Sequence, residues 1–224
     1  MNNIFKQIDE VKYIQIVATQ EQLAVASALY TYILRLHKKV SLVCLSKTVD
    51  TRYSFLPWFD KIRKVISPSA ELTLELALEP TLGARELLEY FKTAGVVLNA
   101  KMATALYMAL LQETDGFKNS NVDGMTFAFA SELVSAGAQH TECSQNFYRT
   151  TLAQLRLKAL IFENMCLTDS AKEVVFHLCD DDFTATGATI QDAENIAQEA
   201  FNLPYIKNVK IVHNQNKEIQ LGKK

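Results

Sequence analysis

The sequence predicts an α/β protein: a Rossmann-like parallel sheet, a helical middle segment and a small C-terminal α/β lobe. Three observations predict it. A strand, a helix and a second strand follow one another between Tyr13 and Leu45, the order of a βαβ unit with parallel strands. From Leu82 to Met165 the apolar residues recur at helical spacing. After Ala171 strand patterns return around one further helix.

Taken in order, Asn2 to Glu10 carries Ile4, Phe5 and Ile8 at helical spacing, and Tyr13 to Ala18 reads as a strand. Thr19 opens a helix, because Gln22 follows three residues later in a capping-box pattern. Leu23, Ala26, Ser27, Tyr30, Ile33, Leu34 and His37 trace its apolar stripe. Val40 to Leu45 is the second strand. Ser46 to Ala70 is irregular, with Trp58 and Phe59 placed to cover a sheet face. Leu72 to Leu78 alternates like a strand with one wet face; a helix is the alternative, since Leu, Glu and Ala favour one, and Pro80 ends either.

Ala84 to Ala94 reads as a helix stopped by Gly95. Asn99 caps a helix running to Glu113. Gly116 breaks the chain, a helix spans Gly124 to Ala136, and Thr141 to Met165 reads as one long helix. Glu173 to Cys179 is a strand, followed by Asp180, Asp181, Asp182 and a turn around Gly187. Ile190 to Phe201 is helical. Ile206 to His213 and Glu218 to Leu221 are strands around the turn Asn214 to Asn216, the last one an exposed edge. A boundary near Leu167 to Ala171 divides the chain into domains 1–167 and 168–224.

Composition narrows the function. The 224 residues are 49% hydrophobic and 21% charged, enough for a packed core. The net charge is -2, and Lys223 and Lys224 stand apart from any basic block. Long nucleic acid is not expected as a partner, because phosphate neutralisation needs a basic surface; small nucleotides remain open. The four cysteines include no C-x-x-C pair, and Cys44 and Cys179 sit in apolar runs that read as buried thiols. The N-terminus lacks the apolar core of a signal peptide, and no apolar run is long enough for a membrane span. The expectation is a cytoplasmic protein with no membrane insertion.

Few residues carry chemistry. His37, His140, His177 and His213 lack metal-ligand spacing, and no G-x-S-x-G, Walker loop or G-x-G-x-x-G occurs. Asp180 to Asp182 follow a strand, a common place for ligands in α/β folds. Three adjacent acids on an extended chain do not converge on one ion, so they read as a solvated turn and helix cap. The helix opened by Thr19 could take an anion on its free N–H groups, with Glu21 opposing it. Glu113, Thr114 and Asp115 stand out: two acids at a helix end lie where the dipole disfavours them, and unfavourable placement points to function.

Here a family likeness enters. Glu113-Thr114-Asp115-Gly116-Phe117, followed by a helix with Ala130, Leu133, Gly137 and Ala138, resembles the Asp-Thr-Gly-x-Phe segment of the DHH phosphoesterase superfamily, in its RecJ-like and nanoRNase/pAp-phosphatase branch. The strand Tyr13 to Ala18, the helix around Ala26 to Tyr30 and the second strand from Lys38 to Val43 match that branch in order, so the likeness covers roughly the first three-quarters of the chain. The departures are as informative. The family's manganese-binding His and Asp after the first strand are replaced by Thr19-Gln20-Glu21-Gln22. No Asp-His-His occurs, and Ser67 to Glu79 looks like the joined sides of a deletion. The motif Asp is Glu113. The family's Gly-Gly-His segment is missing from the C-terminal lobe, which reads as truncated.

The resemblance therefore implies a degenerate phosphoesterase with no catalytic residue, no metal ligand and no cofactor, where the family uses manganese. Three functions follow as expectations. One is an inactive binding or scaffold protein, working as a homo- or hetero-oligomer. Another is a small-nucleotide sensor whose old cleft is lined by Thr19, Ser27, Glu113, Asp115, Lys118 and Asn119. The third is a residual manganese-dependent phosphoesterase, acting on short oligonucleotides or pAp and rebuilt around Asp180 to Asp182.

Overall fold

The computed structural model describes residues 2–46, 49–78, 82–214 and 217–222; Glu79, Pro80, Gln215, Asn216, Lys223 and Lys224 lie outside the described residues. The chain divides into two units, 1–149 and 150–224. Among the described residues no helix is long and apolar enough to cross a membrane.

The first unit runs α1 (Asn2–Glu10), β1 (Tyr13–Ala18), α2 (Leu23–Arg35), β2 (Lys39–Cys44), β3 (Ile62–Arg63), β4 (Leu72–Glu75), α3 (Ala84–Thr93), α4 (Ala100–Glu113), α5 (Gly124–Ser135) and α6 (His140–Phe147). Its sheet has the order β3-β2-β1-β4 with every pairing parallel. Residues 23–33 of α2 are all buried, as an all-round apolar helix requires. Residues 102–111 of α4 are buried in the same way. The Asn99 side chain accepts from the Met102 N–H at 2.9 Å and starts α4 where the sequence places it.

Two expectations change here. The Thr-x-x-Gln pattern after β1 forms a reciprocal turn, in which the Thr19 N–H donates to Gln22 Oε1 at 3.1 Å and the Gln22 N–H donates to Thr19 O at 3.2 Å. The helix then begins at Leu23. Trp58 is fixed on the helical side of the sheet: its indole N–H donates to Thr31 Oγ1 at 2.9 Å, and its ring lies 5.5 Å from that of Tyr30.

The expected helix from Thr141 to Met165 is two helices. α6 ends at Phe147, and α7 (Leu152–Glu163) restarts on a Thr151 cap answered by Gln154. The units part at this break, between Arg149 and Thr150, and not near 167. The cause is packing: Leu157 and Ile161 of α7 are buried in one cluster with Val174, Phe176 and Val209. The second unit continues with β5 (Met165–Thr168), β6 (Glu173–Leu178), α8 (Asp180–Thr186), α9 (Ile190–Ala197), β7 (Asn208–His213) and β8 (Lys217–Leu221). Its sheet order is β5-β6-β7-β8, with β6 and β7 parallel and both outer pairings antiparallel.

Candidate functional site

The end of α4 and the turn after β1 meet through one side chain. Gln112 Nε2 donates to Glu21 O at 3.1 Å and to the Tyr53 hydroxyl at 3.0 Å. The neighbouring Gln20 Oε1 accepts from the Asp50 N–H at 2.8 Å. Asp50 in turn caps the short turn at Thr51–Tyr53 and pairs with Arg52 at 2.7 Å. Neutral amides and a buried tyrosine thus knit together the carboxyl end of β1, where open α/β sheets place their ligands. Burial pushes the Tyr53 phenol up from its ordinary pKa, so it stays protonated.

Glu113 faces the N-terminus of α3. Its Oε1 accepts from the Ala84 N–H at 2.6 Å, while Glu86 Oε2 accepts from the Gly83 N–H at 3.2 Å. A carboxylate disfavoured at the end of its own helix is thereby placed at the start of another, where the free N–H groups welcome it. Gly83 makes this approach possible, because a Cβ there would lie 2.7 Å from Glu86 Oε2 and 2.8 Å from Glu113 Oε1. Although much of the Glu113 residue is exposed, its carboxyl group lies against backbone. Loss of water raises its pKa, the Ala84 N–H opposes that, Glu86 adds to it and Arg85 opposes it; the net direction is up.

The turn after Glu113 is held by its backbone. Asp115, Gly116 and Phe117 have φ of 48, 65 and 66°, three left-handed residues in a row. Thr114 is buried; its hydroxyl donates to Leu110 O at 2.6 Å and accepts from the Phe117 N–H at 3.1 Å. A Cβ on Gly116 would lie 2.1 Å from the Tyr148 hydroxyl oxygen.

The remaining sequence candidates are scattered in their engagements. The Ser27 hydroxyl is buried and donates to Pro57 O at 2.7 Å. Asn119 Nδ2 donates to Glu113 O at 3.0 Å, which brings these two together. Lys118 Nζ lies 5.2 Å from the centre of the Tyr148 ring. Asp115 and Thr19 are exposed. Sequence reasoning missed Gln20, Asp50, Tyr53 and Gln112, whose meeting joins residues 30 to 91 positions apart.

In the second unit Asp180 to Asp182 form the first turn of α8. Asp180 meets His213 Nε2 at 2.9 Å and Asn214 Nδ2 at 2.9 Å, and these bonds, Asn214 first, hold its carboxyl below the usual range. Asp182 accepts from the Cys179 N–H at 2.8 Å. A cavity of about 510 Å³ opens there, lined by His177, Cys179, Asp182 and Asn214. Cys44 is buried as expected, but Cys179 is exposed because it caps the helix instead of ending the strand.

These donor sets do not fit a dinuclear manganese centre. Among the described residues no group of three or more His, Cys, Asp or Glu is placed to hold a metal ion. Hard cations need several oxygens converging on one point. Glu113 is turned to a backbone N–H, and Asp50 is turned to Arg52.

No protein-family model matches the chain. The chain is 26% identical over 155 residues to the bifunctional oligoribonuclease and PAP phosphatase NrnA of Bacillus subtilis (strain 168). The match takes in 69% of this chain and 45% of NrnA, so the chain spans about half the length of that curated relative. An exopolyphosphatase-related protein from Bacteroides fragilis shares its fold, with a TM-score of 0.77 over 99% of this chain and 83% of that one at 12% identity.

Proposed function

We propose that this chain, a relative of the DHH phosphoesterases, works as a binding or scaffold protein and not by two-metal hydrolysis. The observation that carries the proposal is the amide network at the carboxyl end of β1. Two-metal hydrolysis needs ions that activate water and neutralise phosphate, and it needs carboxylates and imidazoles aimed at those ions. Here the corresponding stretch is Thr19-Gln20-Glu21-Gln22, and its side chains serve the loop at Asp50 and the turn itself.

The test is manganese calorimetry, with phosphate release from pAp and from a short oligoribonucleotide measured in parallel. The expected result is no tight uptake and no turnover. Uptake with phosphate release would overturn the reading, and Glu113 and Asp180 to Asp182 would then be mutated first.

A second reading is favoured by the relative's own name, which joins oligoribonucleotides and PAP. In it the cleft keeps a small nucleotide without cleaving it, near Thr19, Glu113, Asp115, Lys118 and Asn119; Ser27 drops out, because its buried hydroxyl is spent on Pro57. Exposed Lys118 and half-buried Asn119 would meet the phosphate, with Glu113 and Asp115 opposing. A nucleotide that binds only the folded state must raise the melting temperature. A screen of mono-, di- and bisphosphates with no shift removes this reading and leaves the first.

A further inference from the structure

The cavity of the second unit has a chemistry of its own. One face of that unit's sheet packs on helices: Val174, Phe176, Leu178, Val209 and Ile211 are buried in one cluster with residues of α7 and α9. Alternation along the strands puts the register partners His177 and Val212 on the opposite face, with Cys179 and Asn214 just past the strand ends. The cavity of about 510 Å³ opens here, lined by His177, Leu178, Cys179, Asp182, Val212 and Asn214. That volume is within the range of small-molecule sites. Its polar groups are unequally occupied. Asn214 is spent on Asp180: its Nδ2 donates to Oδ2 at 2.9 Å, and its Oδ1 accepts from the Asp180 N–H at 3.3 Å. Asp182 spends Oδ2 on the Cys179 N–H at 2.8 Å and on the Cys179 thiol at 3.2 Å. Asp182 Oδ1 and the His177 ring have no hydrogen bond or ion pair among the described residues. No Lys or Arg lines the cavity, and Lys210, the cation two residues before Val212, is held by Glu173 at 2.8 Å.

We propose that this cavity binds a small primary amine. The ammonium sits between Asp182 Oδ1 and His177, whose unprotonated ring offers one nitrogen as an acceptor, and the carbon chain lies over Val212. A cavity with a spare carboxylate oxygen and no cation in its lining draws positive charge. A single spare oxygen suits an ammonium, which is a compact donor, better than a guanidinium, whose planar fork asks for two. A phosphate or carboxylate would meet Asp182 with nothing to offset the repulsion, so anions are not ligands of this cavity. The inference rests on the second unit alone. It depends neither on the absence of turnover nor on a nucleotide in the first unit.

Cys179 lines the cavity and gives the test its handle. Its thiolate exchanges with a small disulfide: an S–S bond forms at Cys179, the reagent's S–S bond breaks, and one small thiolate leaves. The full chain is equilibrated with equal amounts of cystamine, bis(2-hydroxyethyl) disulfide and dithiodiglycolate, and the adducts are measured by peptide mass spectrometry. The reagents place an ammonium, a hydroxyl or a carboxylate on a short arm. Cys166, also exposed, reports how each reagent reacts outside the cavity. Relative to Cys166, Cys179 is expected to favour the ammonium arm over the hydroxyl arm by about fivefold and to disfavour the carboxylate arm. Asp182→Asn keeps an oxygen for the Cys179 N–H and removes the preference. Asp181→Asn loses the same charge outside the lining and keeps most of it. Circular dichroism melts check that both variants fold. Free n-butylammonium chloride, set against sodium chloride at equal ionic strength, displaces the ammonium arm's advantage. A preference at Cys179 no greater than at Cys166 overturns the proposal. So does a preference that survives Asp182→Asn, one that Asp181→Asn lowers as much, or one that n-butylammonium leaves unchanged.

Discussion

The turn at 113–117 and the turn at 19–22 are tied to each other by Gln112, yet they are built on opposite principles. The first is held by backbone conformation, with three left-handed residues and a glycine whose Cβ position is taken by the Tyr148 side chain. The second is held by side-chain amides, which exchange partners readily. The difference teaches where a family likeness survives. A turn fixed by φ angles and close approach keeps its residues because the core depends on them. A turn held by exchangeable side-chain amides is free to change its residues as long as its backbone stays satisfied. Thr114, Gly116 and Phe117 therefore still spell the motif, while the stretch after β1 does not.

The sharpest way to break this comparison is Gly116→Ala. A positive φ alone costs about 1 kcal/mol, and Gly95→Ala isolates that cost, since Gly95 has φ of 66° with nothing within 4 Å of its Cβ position. Gly116 adds the collision with Tyr148, so its variant is expected to lose about 3 kcal/mol in urea unfolding. The double variant Gly116→Ala with Tyr148→Ala should close most of the gap. Equal losses at Gly116 and Gly95 would mean that the close approach does not hold the turn.

Next in size is Thr114→Val. The volume is kept, but the Phe117 N–H loses its acceptor and Leu110 O loses a donor. The expected cost is about 2 kcal/mol. On the other side of the comparison, Gln112→Ala is expected to cost only about 1 kcal/mol. It removes the bonds to Glu21 and Tyr53, but it also removes Gln112 Oε1, a buried acceptor with no donor among the described residues. A loss larger than that of Thr114→Val would reverse the ranking of the two turns.

Much of the first unit was legible because its signals are local. The Asn99 cap, the stops at Gly95 and Gly137, and the strands at 13–18 and 39–44 follow from spacing within a few residues. β3 was not legible, because a two-residue strand has no period to read. The break at 148–151 was written in the Thr151 to Gln154 cap, but apolar residues on both sides carried the helical pattern across it. In the candidate site, Glu113 was legible as an acid in the wrong place, and its answer was not. Its partner, the Ala84 N–H, lies 29 residues away on another helix. Ser27 shows the converse: its polar hydroxyl looked available for a ligand, and it is spent inside the core on Pro57.

The smallest effect separates the two roles of Glu113. Burial raises its pKa, so the folded chain holds that proton more tightly than the unfolded chain does. Between the unfolded value and the raised folded value the folded state binds more protons, and stability falls as pH rises through that window. Above it the cost of the buried charge is complete; below it there is none. Asp180 and Glu173, both lowered by their partners, act with the opposite sign and lose stability as pH falls through their own depressed values. Glu113→Gln still accepts from Ala84 but cannot ionise. It should therefore match the parent at acid pH and exceed it above the window, by less than about 1 kcal/mol, because water screens a residue this exposed. Urea midpoints on either side of the window decide the matter. A gain that is the same at both pH values would assign the effect to packing and not to charge. A loss at both would mean that the charge on Glu113 stabilises the N-terminus of α3 by more than its burial costs.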